Sequence, residues 1–304
     1  MKILVTGGAG FIGSHITDLL IEKGHKVVVI DNLSSGSRAN LNPKAKFHFC
    51  DIRNAKNTAR IFSGGKFDVV CHHAAQIDVR KSVADPIFDA NINIIGSLNI
   101  LENAVKNNVK KVIFASSGGT IYGECGKNPP DEKFKGRPLS PYGITKHAIE
   151  FYLNYYSSIH GIKFTALRYG NVYGPRQDPH GEAGVVAIFA GRMLNGENVF
   201  IFGDGGQKRD YVYVKDVARA NLLALAKGNN EITNIGTEQA SSVNLLFKKM
   251  AAISGYAKKP VYKPARPGEL FRSCLKIKKA KKILGWTPSV GFDEGLRKTI
   301  DFFR

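Results

Sequence analysis

The chain has 304 residues, of which 43% are hydrophobic and 10% aromatic, with 32 glycines and 12 prolines. This composition is typical of folded α/β proteins and excludes the disordered, collagen-like and coiled-coil classes. Its 44 lysines and arginines outnumber 25 aspartates and glutamates, and the resulting net charge of +19 favours anionic partners such as phosphates, anionic sugars or nucleic acid.

Nothing in the sequence indicates a membrane or an oxidising compartment. No apolar run approaches the ~20 residues needed to cross a bilayer, and glycines interrupt the first segment where a signal peptide would be apolar. Cys50, Cys71, Cys125 and Cys274 lie far apart and form no CxxC pair. We expect a cytoplasmic protein without a membrane partner. The basic segment 276–282 has the spacing of a solvated helix face, and no nucleic-acid-binding module accompanies it, so no nucleic-acid partner is expected.

Short apolar segments alternate with segments of helical periodicity along the first 170 residues. Strands are predicted at 2–6, 26–30, 67–72, 110–116 and 163–169. Helices are predicted at 12–23, 54–62, 86–107 and 142–160. Nearly continuous apolar strands are typical of a buried parallel sheet. The sequence therefore predicts a doubly wound α/β fold, followed after residue 170 by a smaller mixed α/β lobe with glycine-rich and proline-rich loops.

A glycine-rich turn follows the first strand directly and opens the first helix. Gly8 to Gly13 form a GxGxxG motif, and Gly7, Gly10 and Gly13 form an overlapping GxxGxxG. Glycines in this position permit a tight turn and close approach of a pyrophosphate to the start of the helix. Because strand, turn and helix stand in the required order, the pattern predicts a Rossmann-type dinucleotide site.

The second predicted strand is followed by Asp31, 18 residues beyond Gly13. A carboxylate at this position can accept hydrogen bonds from both hydroxyls of an adenosine ribose. Asp31 favours NAD over NADP, because a 2′-phosphate would meet its negative charge. Arg38 nearby leaves NADP open.

Tyr142 and Lys146 form a YxxxK motif in a predicted helix that Ser140 and Pro141 are suited to begin. Their i, i+4 spacing places both side chains on one face. An ammonium beside a phenol favours the phenolate, so we expect the pKa of Tyr142 to lie below its ordinary value of about 10. The pair is a candidate general base with its activating cation.

By these motifs the chain resembles the extended short-chain dehydrogenase/reductase family, and within it the nucleotide-sugar epimerases. The resemblance covers essentially the whole chain and rests on the segments at 6–15, 31–36, 51–53, 72–75, 93–102, 116–124, 140–146, 167–177, 209–218, 234–237 and 284–288. It implies an NAD-binding Rossmann domain over 1–170, to which a segment near 205–237 returns, and a smaller nucleotide-sugar-binding lobe over 171–304.

The resemblance also implies roles for individual residues, with Tyr142, Lys146 and Ser117 as the catalytic group. The positions expected to contact NAD are Gly7, Gly10, Phe11, Ile12, Gly13, Asp31, Asn32, Ser35, Gly36, Asp51, Ile52, Ala74, Ala75, Asn93, Tyr142, Lys146 and Tyr169. The positions expected to contact a UDP-sugar are Ser117, Tyr142, Asn171, Arg209, Tyr211, Arg266, Glu269 and Ser273. Two structural alternatives stay open: Asn171 as a turn residue, and Arg209 as an ion-pair partner of Asp210.

The chain departs from the family pattern at one catalytic position. Most relatives have Ser or Thr four residues before the tyrosine of the YG pair, whereas this chain has Gly118 there. The nearest hydroxyls belong to Ser116, Ser117 and Thr120. We expect Ser117 to relay the proton.

The reaction that the resemblance implies is inversion at C4 of a UDP-hexose through a 4-keto sugar, with NAD regenerated in each turnover. The related 4,6-dehydratases carry an Asp-Glu pair where this chain has Gly119 and Thr120, and uronate decarboxylases carry a Glu at the Thr120 position. Ser273 is small at a position whose bulk limits the C2 substituent of the sugar. We therefore expect activity on UDP-glucose and UDP-galactose, with tolerance for the N-acetylated pair.

Two alternatives remain open: epimerisation of UDP-glucuronate or another nucleotide sugar, and a catalytically idle scaffold that binds NAD or RNA. The helices at 86–107 and 142–160 resemble those that form the dimer interface of the family, which predicts a homodimer. His72 and His73 are expected to be core and loop residues, because no third ligand accompanies them, and no metal site is predicted.

Overall fold

A seven-stranded parallel sheet lies at the centre of the computed structural model, which describes residues 1–124, 126, 128–179, 184–266 and 270–304. The strands in these ranges are β1 (Lys2–Thr6), β2 (Lys26–Asp31), β3 (Lys46–Phe49), β4 (Val69–His72), β5 (Lys111–Ser117), β6 (Lys163–Tyr169), β7 (Asn171–Tyr173), β8 (Phe200–Phe202), β9 (Lys208–Tyr213), β10 (Glu231–Ile235), β11 (Ala240–Ser242), β12 (Val261–Lys263) and β13 (Arg272–Ser273). The central sheet has the order β10-β6-β5-β4-β1-β2-β3.

Helices connect these strands and cover the sheet. The α-helices are α1 (Phe11–Glu22), α2 (Ala55–Gly65), α3 (Val79–Ala84), α4 (Pro86–Ala90), α5 (Ser97–Lys106), α6 (Gly118–Ile121), α7 (Pro141–His160), α8 (Val185–Leu194), α9 (Val214–Ala224), α10 (Val243–Ser254), α11 (Lys278–Leu284) and α12 (Phe292–Phe303). A 3-10 turn at Arg38–Asn40 and a π-helical turn at Asn91–Gly96 complete the described helices.

Successive residues of each central strand point to opposite faces of the sheet, and this alternation divides the core in two. On one face, Ile3 and Val5 of β1 pack with Ile16 of α1 and Val217 of α9. On the other face, Leu4 packs in a cluster that includes the buried sides of α2, α5 and α7. Because both faces are covered, the inner strands are apolar nearly throughout, which gives them a strong sequence signal.

The prediction of a doubly wound parallel sheet is confirmed, and the sheet contains two strands that were not predicted, β3 and β10. Both are edge strands, and their sequences, KFHF and EITNI, mix polar and apolar residues instead of forming a continuous apolar run. The helix predicted at 86–107 is divided into α4, the π-helical turn and α5. Such π-turns occur frequently at functional sites.

The second half of the chain forms a smaller lobe and also contributes to the central sheet. In the lobe, β9 pairs with β7, β11 and β13, and β8 pairs with β12. Its core contains Tyr173, Phe189, Leu246 and Leu296. By contrast, β10 pairs with β6 in the central sheet, and α9 packs against α1. Among the described helices, none is long and apolar enough to cross a membrane.

A buried ion pair fixes α7 against the strands beneath it. Both side chains of Glu150 and Arg168 are almost completely buried, and the guanidinium donates to both carboxylate oxygens at 2.8 and 2.5 Å. The Ser116 hydroxyl on β5 donates to the same carboxylate at 2.6 Å. Bidentate geometry and a third donor offset the desolvation of the two charges. The pair thereby joins α7, β5 and β6.

Replacing Arg168 by methionine is expected to lower the free energy of unfolding by about 3–5 kcal/mol, because Glu150 would remain buried without its cation. Chemical denaturation of the purified variant measures this loss. The matched control is Lys298→Met, which breaks the exposed pair with Glu294 and should leave stability unchanged within error. An Arg168→Met variant as stable as the control would contradict the prediction.

Candidate active site

The glycine-rich turn lies at the carboxyl edge of the sheet, between β1 and α1. Gly7 has a φ of +69°, and its amide donates to the carbonyl of Ile30 at 2.9 Å. A Cβ on Gly7 would lie 2.6 Å from the amide nitrogen of Ala74, and one on Gly13 would overlap the carbonyl oxygen of Gly7. The close approach of three backbone segments therefore requires glycine at both positions.

This turn fits the pyrophosphate of a dinucleotide. Gly10 is the N-cap residue of α1, so no side chain satisfies the first amide groups of the helix, and its first turn contains no acidic residue. Unsatisfied amides and the positive end of the helix dipole form a site for an anion. Phe11 and Ile12, both predicted cofactor contacts, begin the helix at this point.

Asp31 ends β2 beside the turn, with its carboxylate held by the backbone. It is almost completely buried and accepts hydrogen bonds from the amides of Ala9 at 3.0 Å and Leu33 at 2.8 Å. Each carboxylate oxygen has a further lone pair for a ribose hydroxyl. Gly36 faces the turn closely, since a Cβ there would lie 3.0 Å from the carbonyl carbon of Ala9. Ser35 is exposed in the same loop.

The next cofactor positions follow β3. The Asn32 side chain donates to Asp51 at 3.1 Å, and Arg53 forms an ion pair with the same carboxylate at 2.7 Å. Hydrogen bonds from Arg53 are the main reason why the pKa of Asp51 is lowered to about 2. Ile52 packs on Gly96, where a Cβ would lie 2.6 Å from Cδ1 of Ile52. This part of the candidate cofactor cleft therefore combines polar side chains, from Asn32, Asp51 and Arg53, with the apolar side chain of Ile52.

The end of β4 continues the candidate cofactor cleft through Ala74 and Ala75. The Thr6 hydroxyl accepts from the amides of His73 and Ala74, at 3.1 and 3.0 Å. The ring of His72 contacts the hydroxyls of Thr6 and Ser97 at 2.7 and 2.9 Å. Burial lowers the pKa of both histidines to about 3, so both rings are neutral near pH 7. His73 also contacts the Tyr169 hydroxyl at 3.1 Å.

Lys146 is a buried cation at the end of β5. Ser140 caps α7 by accepting from the amide of Gly143 at 3.2 Å, and Pro141 occupies the first turn. In the second turn of the helix, the Lys146 ammonium donates to the carbonyl of Ala115 at 2.9 Å. It lies 5.9 Å from the centre of the Tyr142 ring. Burial lowers the pKa of Lys146 to about 8.

The pKa of Tyr142 does not follow the expectation from the YxxxK motif. Burial raises it above its ordinary value of about 10, the charge of Asp89 raises it further, and a hydrogen bond with Ser117 acts in the opposite direction. Desolvation penalises the phenolate, and the nearby carboxylate adds to that penalty. A single sequence does not reveal how deeply the phenol is buried, or that a carboxylate lies near it.

Ser117 is the hydroxyl that contacts Tyr142, and it also accepts a hydrogen bond from Thr120 at 2.8 Å. Ser116, the alternative one residue earlier, faces away and donates to Glu150. A Cβ on Gly118 would lie 2.6 Å from Cδ1 of Leu275. Leu275 therefore occupies the space that a side chain at position 118 would need. No sequence pattern indicates this contact, because the two residues are far apart in the chain.

Three predicted substrate residues converge above Gly119. A Cβ on Gly119 would lie 3.9 Å from Oδ1 of Asn171, 4.0 Å from Oγ of Ser117 and 4.0 Å from Oγ of Ser273. Asn171 begins strand β7 and is not a turn residue, and its buried Oδ1 has no hydrogen-bond partner within the described chain. A buried acceptor without a partner costs free energy, so this atom indicates a ligand that donates a hydrogen bond.

The remaining substrate positions lie on the smaller lobe. Arg209 is the register partner of Ser273, and Tyr211 is the register partner of Asn171. The Tyr211 ring stacks on Phe292 at 5.4 Å. The Arg266 guanidinium lies 3.8 Å from the centre of the Phe202 ring, beside the β8–β12 pair. Glu269 lies outside the described residues, as does Cys125.

Asp210, the suggested ion-pair partner of Arg209, is completely buried. Its carboxylate accepts from the amides of Thr237, Glu238 and Leu275 and from the Thr237 hydroxyl. These four donors account for the burial of its charge without a cation. Its role is to join β9 to the segments that follow β10 and β13.

The comparisons with known proteins agree with this geometry. The model of the NAD dependent epimerase/dehydratase family matches residues 3–236. The UDP-glucose 4-epimerase of Thermotoga maritima, solved with UDP-glucose, is 56% identical and superposes with a TM-score of 0.99 over 100% of this chain and 99% of its own. The UDP-glucose 4-epimerase of Thermus thermophilus, solved with NAD, is 46% identical, with a TM-score of 0.96 over 100% and 99% of the two chains.

A third similar structure differs in the sugar that its name specifies. It is the UDP-N-acetylglucosamine 4-epimerase of Methanobrevibacter ruminantium in complex with UDP-N-acetylmuramic acid, which is 38% identical with a TM-score of 0.94 over 99% and 97% of the two chains. The family match spans more than half of the chain and the likeness to solved structures spans all of it. The chain therefore belongs to the NAD dependent epimerase/dehydratase family, as an extended short-chain dehydrogenase/reductase.

Proposed function

We propose that this protein is an NAD-dependent epimerase that inverts C4 of UDP-glucose and UDP-galactose and also accepts the N-acetylated pair. The observation that carries the proposal is the convergence of Ser117, Asn171 and Ser273 around Gly119, where Ser117 also acts to lower the pKa of Tyr142. A sugar placed there would lie against the candidate base and beside the cofactor cleft. The NAD-dependent family and the UDP-glucose-bound structure at 56% identity support the same chemistry.

The two parts of the chain are assigned to different ligands. In the proposal, residues 1–170, with the segment near 205–237, hold NAD, and the lobe over 171–304 holds the UDP-sugar. The pyrophosphate of NAD would lie at the start of α1, and Asp31 would hold the adenosine ribose. Arg209, Arg266 and Asn171 are assigned to the diphosphate of the substrate, for which guanidinium groups are suited by their paired donors.

Tyr142 is assigned the proton transfer at the sugar 4-hydroxyl. When bound, NAD supplies a reversible hydride acceptor for C4. The Tyr142 phenolate would accept the hydroxyl proton through Ser117 and return it when C4 is reduced from the opposite face. Lys146, held against Ala115, supplies the positive charge that favours the phenolate. The same tyrosine therefore acts as base and then as acid.

Gly119 and Thr120 lack the carboxyl groups that would carry the reaction beyond epimerisation to dehydration. Elimination of the 6-hydroxyl needs carboxyl groups beside the sugar, and the residues at these positions are a glycine and a threonine. The Thr120 hydroxyl is engaged with Ser117. The site therefore supports proton transfer at the 4-oxygen and provides no acid–base pair at these two positions for dehydration.

The second chain of a homodimer is the proposed partner. Exposed apolar residues form a stripe on α7 and continue on α4 and the π-helical turn: Ile144, Phe151, Tyr155, Ile159, Ile87 and Ile95. Large contiguous apolar surfaces on a folded protein indicate an interface, and pairing of these helices about a twofold axis would cover them. We also propose a cytoplasmic location, which suits the free, buried thiols of Cys50, Cys71 and Cys274.

Turnover of UDP-galactose and UDP-GalNAc by the NAD-loaded protein tests the function. We expect 4-epimers from both sugars without net formation of NADH, measured by chromatographic separation. Ser273→Tyr should lower kcat/KM for UDP-GalNAc relative to UDP-galactose by about tenfold or more, because the ring would fill the space for an acetamido group. With NAD bound, failure to form either epimer would contradict the proposal, and UDP-glucuronate would be tested next.

Ser117→Ala is expected to lower kcat by about 100-fold or more while KM changes little, because the relay contributes to proton transfer. Thr120→Val, which removes only the hydrogen bond to Ser117, should cost about 1 kcal/mol, or about fivefold in kcat. Steady-state kinetics of the two variants separate these roles. If Thr120→Val were the more damaging change, the relay would belong to Thr120.

Phe151→Glu is expected to convert the homodimer into a monomer, because it places a charge in the middle of the apolar stripe. Sedimentation equilibrium measures the molecular mass. The matched control is Phe302→Glu, which changes an equally large exposed phenylalanine on α12, outside the stripe. A wild-type protein that is monomeric at all concentrations, or dissociation by the control alone, would contradict the proposed interface.

A further inference from the structure

A buried carboxylate without an assigned role lies next to Tyr142 and Lys146. Asp89, in the short helix α4, has no exposed surface. Its Oδ1 accepts from the side-chain amides of Gln76 at 2.8 Å and Asn93 at 3.0 Å. Its Oδ2 accepts from the Thr145 hydroxyl at 2.9 Å. These three donors come from the loop after β4, the π-helical turn and α7, and all of them are neutral.

Hydrogen bonds alone therefore hold the Asp89 charge inside the protein. Within the described ranges, no cation lies at ion-pair distance from it. The cation on which its charge acts is the Lys146 ammonium, and the same charge opposes ionisation of Tyr142. A buried carboxylate is expensive even when it is well hydrogen-bonded, and a neutral amide of the same shape would fit this cluster. Retention of the charge therefore calls for an explanation beyond packing.

The two roles proposed for Tyr142, first as base and then as acid, provide such an explanation. As a base, the phenolate must bind the sugar proton strongly enough to remove it, and as an acid, it must still give that proton back. A positive surrounding alone would make the phenolate easy to form but weakly basic. The negative charge of Asp89 acts against this weakening and, at the same time, favours the protonated form of Lys146.

We propose that Asp89 is a positioning residue that sets the basicity of Tyr142, by placing one negative charge beside the tyrosine–lysine pair and anchoring Thr145 between them. The inference rests on the proposed role of Tyr142 as the proton acceptor. Thr145 transmits the anchoring because its hydroxyl lies 2.9 Å from Asp89 and 3.0 Å from the carbonyl oxygen of Tyr142. Asn93 and Gln76 hold the other carboxylate oxygen. The Asn93 side chain also bonds the Gln76 backbone twice, because its Oδ1 accepts from the Gln76 amide and its Nδ2 donates to the Gln76 carbonyl.

The other titratable groups packed around α7 are neutral, neutralised or exposed. From β4, His72 and His73 are neutral because burial lowers the pKa of each to about 3. Glu150 is paired with Arg168, and His147 lies 3.9 Å from the same carboxylate. The charged or titratable side chains on the remaining neighbouring elements are Arg80 and Lys81 on α3, Asp85 beside α4, Glu102 and Lys106 on α5, Tyr122 after α6, and Lys163 and Tyr169 on β6. Lys111 begins β5, at the opposite end of the strand from Ser117, and donates to the oxygens of Lys227 and Asn229.

Asp89→Asn removes the negative charge and keeps the size and shape of the side chain. The new amide keeps Oδ1 as the acceptor for Gln76 and Asn93. The Thr145 hydroxyl can then donate to the Tyr142 carbonyl and accept from the new amide nitrogen. Asp85→Asn is the matched control, because it makes the same change one helical turn earlier, at an exposed N-cap where asparagine is equally suited. Asp89→Ser removes the same charge with a smaller side chain.

The readout is the tyrosinate absorbance of NAD-loaded protein as a function of pH, taken as the difference from Tyr142→Phe. Removing a negative charge stabilises the phenolate, so the pKa of Tyr142 in Asp89→Asn should fall by about one unit. The acid limb of the kcat profile should move to lower pH by the same amount, while kcat on the plateau falls because the phenolate is a weaker base. Asp85→Asn should reproduce the wild-type titration.

Each outcome decides the proposal. A downward shift in Asp89→Asn or Asp89→Ser, absent in Asp85→Asn, supports it. A folded, NAD-binding variant with the wild-type titration or an upward shift overturns it, and loss of folding by both Asp89 variants also overturns it by making the residue structural. Failure of the NAD-loaded wild-type protein to form either 4-epimer would instead contradict the proposed function, and full epimerase activity of Tyr142→Phe would contradict only the proposed role of Tyr142; both results are distinguishable from those above.

Discussion

The structure depends on placing one ammonium group, that of Lys146, where water does not reach it. A buried cation persists only if fixed acceptors replace its hydration. Here the carbonyl of Ala115 near the end of β5 accepts a hydrogen bond from the ammonium, and the more distant charge of Asp89 favours its protonated form. Both require α7 to lie in one position over the strand ends. That position is set about one helical turn further along α7, by the buried Glu150–Arg168 pair and its hydrogen bond to Ser116.

The end of β5 shows how the strand alternation serves both stability and chemistry. Ser116 points to the buried ion pair, and Ser117, on the opposite face, points to Tyr142. The next residue, Gly118, begins α6 and leaves its side-chain space to Leu275 from the smaller lobe. The lobe is thus packed against the start of α6, directly after Ser117. Ser117 and Leu275 belong to one steric arrangement around Gly118.

Sequence reasoning predicted the local structure. The glycine turn lies between β1 and α1, Asp31 ends β2, Tyr142 and Lys146 lie on α7, and the apolar inner strands have a strong periodic signal. It failed where contacts join distant segments. Asp89 is surrounded by residues from three elements, and the edge strands β3 and β10 are stabilised by pairing that no short window contains. The pKa of Tyr142 was expected in the wrong direction because its burial is a property of the packed site.

That error is informative about the proposed mechanism. Burial and the charge of Asp89 both favour the protonated form of Tyr142, so in the proposed mechanism deprotonation needs additional stabilisation from the molecules that enter the cleft. Premature ionisation would leave a buried phenolate beside the carboxylate of Asp89, which is electrostatically unfavourable. In the proposed mechanism, the ionised state of Tyr142 would therefore depend on the presence of its ligands.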